Sequence, residues 1–424
     1  MSARALGLAL VAISPCACGL LLGDVFDVGY APDAGGDGAD GGGATGGSTA
    51  DGASGGRTSG ASSSGGSMVG SSGGSAGGSG GGSDAGLGGG ASGGSGGSGG
   101  SSGTSSGSAS GSGSASSSGT GLGDGGCSVP CTGTCVNTRC LVTLASNQTN
   151  PDAIAVDATY VYWGNQGNLS PGGTVMEVPK GGAAPATLAM ASPSGSPSGI
   201  AVNAASVYWT DSTTVMSVPI VSGPTVTLAS GQLFPGPIAL DPTSVYWADS
   251  STVMKAPLDG GAPVTLVTVT GAAGSADGVA VDGENVYWTQ SVNTSSGLAG
   301  DVMSMPLDGG AATTLTPSGW VLGPRPQLAV DPTGVYVSSD VLFRLPPDGG
   351  APITLASGVN TANFAVDGAH VYWISNGDIL RVDIAGGTPI TVLPSRSPTC
   401  LAVDDTSLYF TEGLSGTVMK LTPK

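Results

Sequence analysis

One phrase recurs seven times along this chain, and its recurrence limits the fold more than any other feature. An apolar run ending in Asp or Asn closes at Asp157, Asn203, Asp241, Asp282, Asp331, Asp367 and Asp404, at intervals of 46, 38, 41, 49, 36 and 37 residues. Each run is followed by an aromatic pair: Tyr162-Trp163, Tyr208-Trp209, Tyr246-Trp247, Tyr287-Trp288 and Tyr372-Trp373, altered to Tyr336-Val337 and Tyr409-Phe410. A Val-Met phrase (Val175-Met176, Val215-Met216, Val253-Met254, Val302-Met303, Val418-Met419) and a Thr-Leu phrase (Thr187-Leu188, Thr227-Leu228, Thr265-Leu266) come next. Periods of this length are expected of propeller blades, each a four-stranded sheet that cannot bury its faces alone.

The four phrases read as strands A to D of a blade. They are apolar at consecutive positions rather than strictly alternating, as strands covered on both faces require. The aromatic pairs are expected to fill the wide outer part of the wedge between blades, with Val, Ile and Ala on the crowded inner strand. Gly pairs such as Gly260-Gly261 and Gly309-Gly310 mark the C–D turns, because Gly tolerates positive φ. Pro179, Pro219, Pro257 and Pro306 close the C strands, where a missing N–H does little harm.

The seventh copy ends in TVMKLTPK without a strand D, and a spare Thr-Leu phrase stands ahead of the first copy, in Leu141–Ser146. The sequence therefore predicts an all-β, seven-bladed β-propeller over 141–424, with 141–146 pairing onto the last blade to seal the ring. Closure removes the exposed edges that an open array would leave.

Tyr208-Trp209-Thr210-Asp211 spells YWTD, and Val245–Ser250 is a near copy. The repeats resemble YWTD- and NHL-type propellers, found in bacterial envelope proteins and in low-density-lipoprotein-receptor-like ectodomains. That resemblance implies a binding platform more often than an enzyme. Receptor propellers usually have six blades, so seven copies depart from that pattern.

The segments ahead of the repeats predict export. Arg4 followed by the apolar run 5–13 reads as an export signal over 1–18, too short to span a bilayer. Ala17 before Cys18 resembles the small residue preceding the lipid-modified Cys of bacterial lipoproteins, so lipidation is expected at Cys18, with Cys16 as the alternative and simple secretion as the rival reading. Residues 19–126 are dominated by Gly and Ser, with too little apolar area to offset ordering entropy. They are read as a disordered tether whose longest Gly/Ser run spans roughly 50 Å on average. Cys127, Cys131, Cys135 and Cys140 form a dense cluster over 127–140. In an exported chain it reads as two disulfides of open connectivity. The alternative zinc knuckle lacks the usual C-x2-C pairs and a nearby His. Cys400, in a strand A, is read as a small buried hydrophobe.

A formal charge of −18 excludes nucleic acid and anionic lipid surfaces as expected partners, leaving membrane attachment to the lipid anchor alone. The single His, His370, occupies an A–B turn slot, so neither a hydrolytic triad nor a His-rich metal site is expected. The anchor carboxylates could ring a cation, but Asn203 in the same slot favours turn capping by hydrogen bonds to backbone N–H groups. No catalytic residue, cofactor or metal is expected. Two segments break the repeat: Thr289–Gly300, read as a long B–C loop, and Thr316–Gln327. Trp320 and Arg325 in the second are the candidate binding residues for a protein or glycan on the loop face of a monomer. The expected function is a tethered, non-enzymatic binding or scaffold propeller of the bacterial envelope, at the outer membrane or surface, or else periplasmic or secreted. The alternatives are a lactonase- or lyase-type enzyme with a channel-mouth metal, for which Asp277 and Asp340 stand too isolated, and a purely structural envelope protein.

Overall fold

The computed structural model describes residues 127–424, except for the short segments 168–171, 193–194, 271–273, 295–296, 318–321, 323–325, 347–349 and 360–362. Expectations for the signal, Cys16, Cys18 and the Gly/Ser-rich segment lie outside the described residues, as do Trp320 and Arg325. Every regular element among the described residues is a strand.

Strands pair in chain order into six four-stranded sheets and one five-stranded sheet. These are the seven blades: 151–190, 199–230, 235–268, 275–314, 327–357, 364–393, and 400–422 completed from the N-terminal side. Strand A of each blade touches strand A of the next all the way round, so the A strands line the axis and the D strands lie outermost.

The repeated phrases have a register that explains them. In blade 1, Ile154, Trp163, Met176 and Thr187 stand opposite one another across the four strands, and Ala155, Tyr162, Glu177 and Ala186 form the adjacent row. Successive strand residues point to opposite faces, so each blade has a Trp face and a Tyr face. Blade 3 repeats this with Ile238, Trp247, Met254 and Thr265, beside Ala239, Tyr246, Lys255 and Val264.

Each Tyr face packs on the Trp face of the next blade. Tyr162 shares a buried cluster with Trp209, Tyr208 with Trp247, Tyr246 with Trp288, Tyr287 with Val337 and Tyr336 with Trp373. The last two clusters close the circle: Tyr372 joins Phe410, and Tyr409 of blade 7 joins Trp163 of blade 1. Truncating one of these tryptophans to Ala would cost on the order of 3–5 kcal/mol. The wedge filling differs from expectation in one respect. The aromatics sit on strand B, one strand out from the axis, whereas the outer D strands leave Thr187, Thr227 and Thr265 exposed. Only the middle of the wedge needs large side chains, because solvent fills its outer rim.

The N-terminal strand closes blade 7. It runs Arg139–Ala145, slightly earlier than 141–146, and pairs antiparallel with strand C of blade 7, Thr417–Thr422. Thr143 falls opposite Met419, Phe410 and Leu401, completing the Trp-type row. A further short strand, Thr134–Val136, pairs outside it. The Cys cluster therefore lies at the outer edge of blade 7. Its connectivity is Cys127–Cys135 and Cys131–Cys140. Cys400 is fully buried in strand A of blade 7, as a small hydrophobe would be.

Candidate functional site

The blades present two ends with different chemistry. At the A–B end, one arrangement recurs. Asp241 Oδ1 accepts the backbone N–H groups of Thr243 and Ser244, and its Oδ2 accepts the phenol of Tyr246 at 2.6 Å. The same corner is built by Asp157 with Tyr162 (2.9 Å), Asp282 with Tyr287 (2.7 Å), Asp367 with Tyr372 (3.1 Å) and Asp404 with Tyr409 (2.9 Å). Asn203 keeps the turn contacts and donates to the Tyr208 oxygen instead. Capping, rather than a cation ring, accounts for these anchors, because both carboxylate oxygens are engaged. The phenol contact was not read from the sequence, although the constant five-residue spacing of Asp and Tyr carried it.

The corners shift their own titration. Burial, and then the hydrogen bond to Asp241, push the Tyr246 hydroxyl well above its ordinary range, and burial with the Asp282 bond does the same at Tyr287. Burial alone would raise the Asp404 carboxyl. The Lys180 ammonium, the amides of Thr406 and Ser407 and the Tyr409 hydroxyl outweigh it and hold Asp404 well below the usual carboxylate range. Asp367 is lowered likewise against its burial, chiefly by Lys424 at 2.7 Å. His370 opens strand B of blade 6, half-buried, with its backbone N–H on Asp367 and Nδ1 3.7 Å from that carboxylate.

At the opposite end, where the D–A and B–C connections gather, the literal YWTD residues do different work. Trp209 is core, whereas Thr210 Oγ1 donates across the blade boundary to the carbonyl of Gly236 at 2.8 Å. Thr289 reaches Pro326 and Thr411 reaches Asp152 in the same way, so the hydroxyl latches one blade to the next. Asp211 is fully buried; Oδ1 caps the B–C turn at Thr214, and Oδ2 accepts the Ser192 hydroxyl at 2.8 Å.

Two D–A connections are copies of each other. In Asn147–Pro151, the Gln148 side chain accepts the Trp163 indole N–H, and Asn147 and Asn150 take left-handed φ of 57° and 50°. In Gly231–Pro235, Gln232 accepts the Trp247 indole N–H at 2.9 Å, and Gly231 and Phe234 take φ of 71° and 57°. Asn suits that conformation and Phe does not; a bulky side chain there costs about 1–2 kcal/mol. Leu233 and Phe234 are 66% and 71% exposed, and Leu414, in the B–C turn of blade 7, is 96% exposed.

The first repeat-breaking segment is not a loop. Strands B and C of blade 4 extend to Asn285–Thr294 and Gly297–Pro306, paired along their whole length as one long hairpin. The second segment is anchored at Leu322, which is fully buried and abuts Gly300; a Cβ at Gly300 would lie 2.8 Å from that of Leu322. Asp277 is held by the Ser275 and Ser291 hydroxyls, and Asp301 accepts the Thr316 hydroxyl. Glu412 takes the guanidinium of Arg396 at 2.8 Å and the Thr417 hydroxyl at 2.6 Å. Among the described residues, the candidate metal-ligating group is Cys127, Cys131 and Cys135, and disulfides already engage all three.

This geometry defines a β-propeller repeat protein. No known family description matches the chain, and no curated protein does. Among solved structures, it is similar to the extracellular domain of a hybrid two-component system, BT4673, from B. thetaiotaomicron, at 8% identity and a TM-score of 0.51, over 66% of this chain and 39% of that one. A chain of the mitotic checkpoint complex matches at 11% identity and a TM-score of 0.51, over 67% of this chain and 93% of that one. A chain of a nidogen/laminin complex matches at 18% identity and a TM-score of 0.42, over 52% and 90%. At these identities the two likenesses with a TM-score of 0.51 show the fold alone.

Proposed function

We propose that this propeller is a non-enzymatic binding module of an exported protein, and that its D–A/B–C end is the binding face. The observation that carries the reading is how that face uses its polar groups. Asp211, Asp277, Asp301 and Glu412 are committed to hydrogen bonds within the fold, while Leu233, Phe234 and Leu414 are turned to solvent. A hydrolytic or lyase site needs convergent acid–base or metal-holding groups free to meet substrate; a binding face needs exposed apolar anchors on a rigid frame. Export is supported by the two disulfides, which persist in oxidising compartments, and by the signal-like N-terminus. Attachment through a lipidated Cys18, with residues 19–126 as tether, belongs to the same proposal, as do a monomeric state and participation of Trp320 and Arg325 in the face.

Two measurements test it. Lactone and uronate-glycan turnover is assayed with calcium, magnesium and zinc. The proposal expects none above background, and metal-dependent turnover would replace it with the enzymatic reading. Crosslinking in the native envelope fraction, with the propeller as bait, is expected to link a partner through the D–A/B–C loops. Links confined to the opposite end would overturn the assignment of the face.

A further inference from the structure

We propose that Leu233 and Phe234 form a preset docking knob for a partner protein that offers an apolar pocket rimmed by Lys or Arg. The inference rests on the binding-module reading above and specifies its partner.

The connections 147–151 and 231–235 share one backbone, one indole-to-Gln hydrogen bond and a left-handed residue at the same two positions. One copy fills its fourth position with Asn150, which bonds Gln166. The other places Phe234 there, in a conformation that disfavours a bulky side chain, and leaves its ring in water beside an exposed Leu233. Both choices oppose stability, and a repeat that accommodates Thr149-Asn150 elsewhere does not require them. Strain and exposure at one residue point to a contact made outside the chain.

The knob is also held rigid. Leu233 N–H donates to Asp249 Oδ1 at 2.7 Å, the Ser250 hydroxyl donates to the Leu233 carbonyl at 2.6 Å, and Gln232 is buried on Trp247. Three contacts from strand B and the B–C turn of blade 3 fix the segment before any partner arrives, so little entropy is lost when it docks.

Charge selects the partner. Asp211, Asp249, Asp277, Asp301, Asp340 and Asp378 lie at this end, where the described cation is Arg396, already paired with Glu412. The loops' sequence adds only Arg325. Lys180 and Lys424 lie at the opposite end, paired with Asp404 and Asp367. An acidic surround repels anionic lipid and attracts a basic rim, which favours a protein pocket over a membrane.

The test selects displayed random peptides on the full chain, then measures the winners against wild type, Phe234→Asn and Leu233→Thr. The proposal expects winners with an apolar core flanked by Lys or Arg. It expects at least tenfold weaker binding to Phe234→Asn, a loss of affinity with added salt, and a melting temperature for Phe234→Asn raised by about 2 °C through relief of strain. Winners that bind Phe234→Asn as tightly as wild type would overturn the knob while leaving the binding module standing. Failure to select any peptide above background would overturn both. Phe234-dependent binding of neutral phosphatidylcholine vesicles would overturn the protein partner in favour of a membrane.

Discussion

The Lys180 ammonium of blade 1 lies 2.6 Å from the Asp404 carboxylate of blade 7, so an ion pair spans the seam where the ring closes. Lys420 joins it from strand C of blade 7, donating to the Lys180 carbonyl and lying 5.8 Å from the centre of the Tyr409 ring. Lys180 itself lies 5.2 Å from that ring. The two ends of the repeat array thus meet through charge as well as through strand pairing.

The seam pair predicts a local stability loss. Lys180→Met removes the ammonium from a mostly buried carboxylate and should destabilise the protein by about 1–3 kcal/mol, whereas Lys180→Arg should recover part of it. Equilibrium urea unfolding checks this. Equal stability of Lys180→Met and wild type would show the pair to be incidental.

The corner hydrogen bonds predict a graded series. Tyr246→Phe leaves Asp241 Oδ2 without its 2.6 Å donor and should cost about 1 kcal/mol, a melting shift of roughly 2 °C. Asp241→Ala also frees the two turn amides and should cost more. Tyr208→Phe, whose partner is the neutral Asn203 at 3.4 Å, should cost least of the three.

Titration of the corners sets the pH range. Tyr162, Tyr246, Tyr287, Tyr372 and Tyr409 all have hydroxyls raised in the folded state. A raised pKa contributes stability that is fully present below the unfolded value, near 10, and is lost as pH rises beyond it. Asp241, Asp367 and Asp404 are lowered, so their contribution is present above about pH 4 and is lost as pH falls further. Melting temperature against pH should therefore form a plateau between these limits. Unchanged stability from pH 9 to 11.5 would contradict the phenol assignment.

Calcium should leave the melt unchanged. The anchor carboxylates already spend both oxygens on amides and phenols, as at Asp241 and Asp282. Scanning calorimetry in EDTA and in millimolar calcium decides it, and a clear upward shift with calcium would revive the cation ring.

The architecture was legible in the sequence because every blade must solve the same packing problem. Ile238, Trp247, Met254 and Thr265 had to recur together, since they form one cross-strand row. The spare Thr-Leu phrase disclosed closure for the same reason. The site was less legible. Segment 289–300 looks like loop composition, yet the long pairing of its backbone makes it a hairpin. Phe234 carries no signal in the sequence, because Leu-Phe-Pro is ordinary loop composition. Its meaning comes from a left-handed backbone that only comparison with Asn150 exposes. The disulfide pairing was likewise open, because spacing alone does not say which edge strand the cysteines build.

Closure by the N-terminal strand is tested most directly by deleting residues 127–145 and recording the thermal melt beside the intact chain. Removal of that strand uncovers the row ending at Met419 and opens both seams of blade 7. Ring closure by this strand requires the deletion to lower the melting temperature by about 10 °C or more, or to abolish cooperative unfolding altogether. An unchanged, cooperative melt would contradict it.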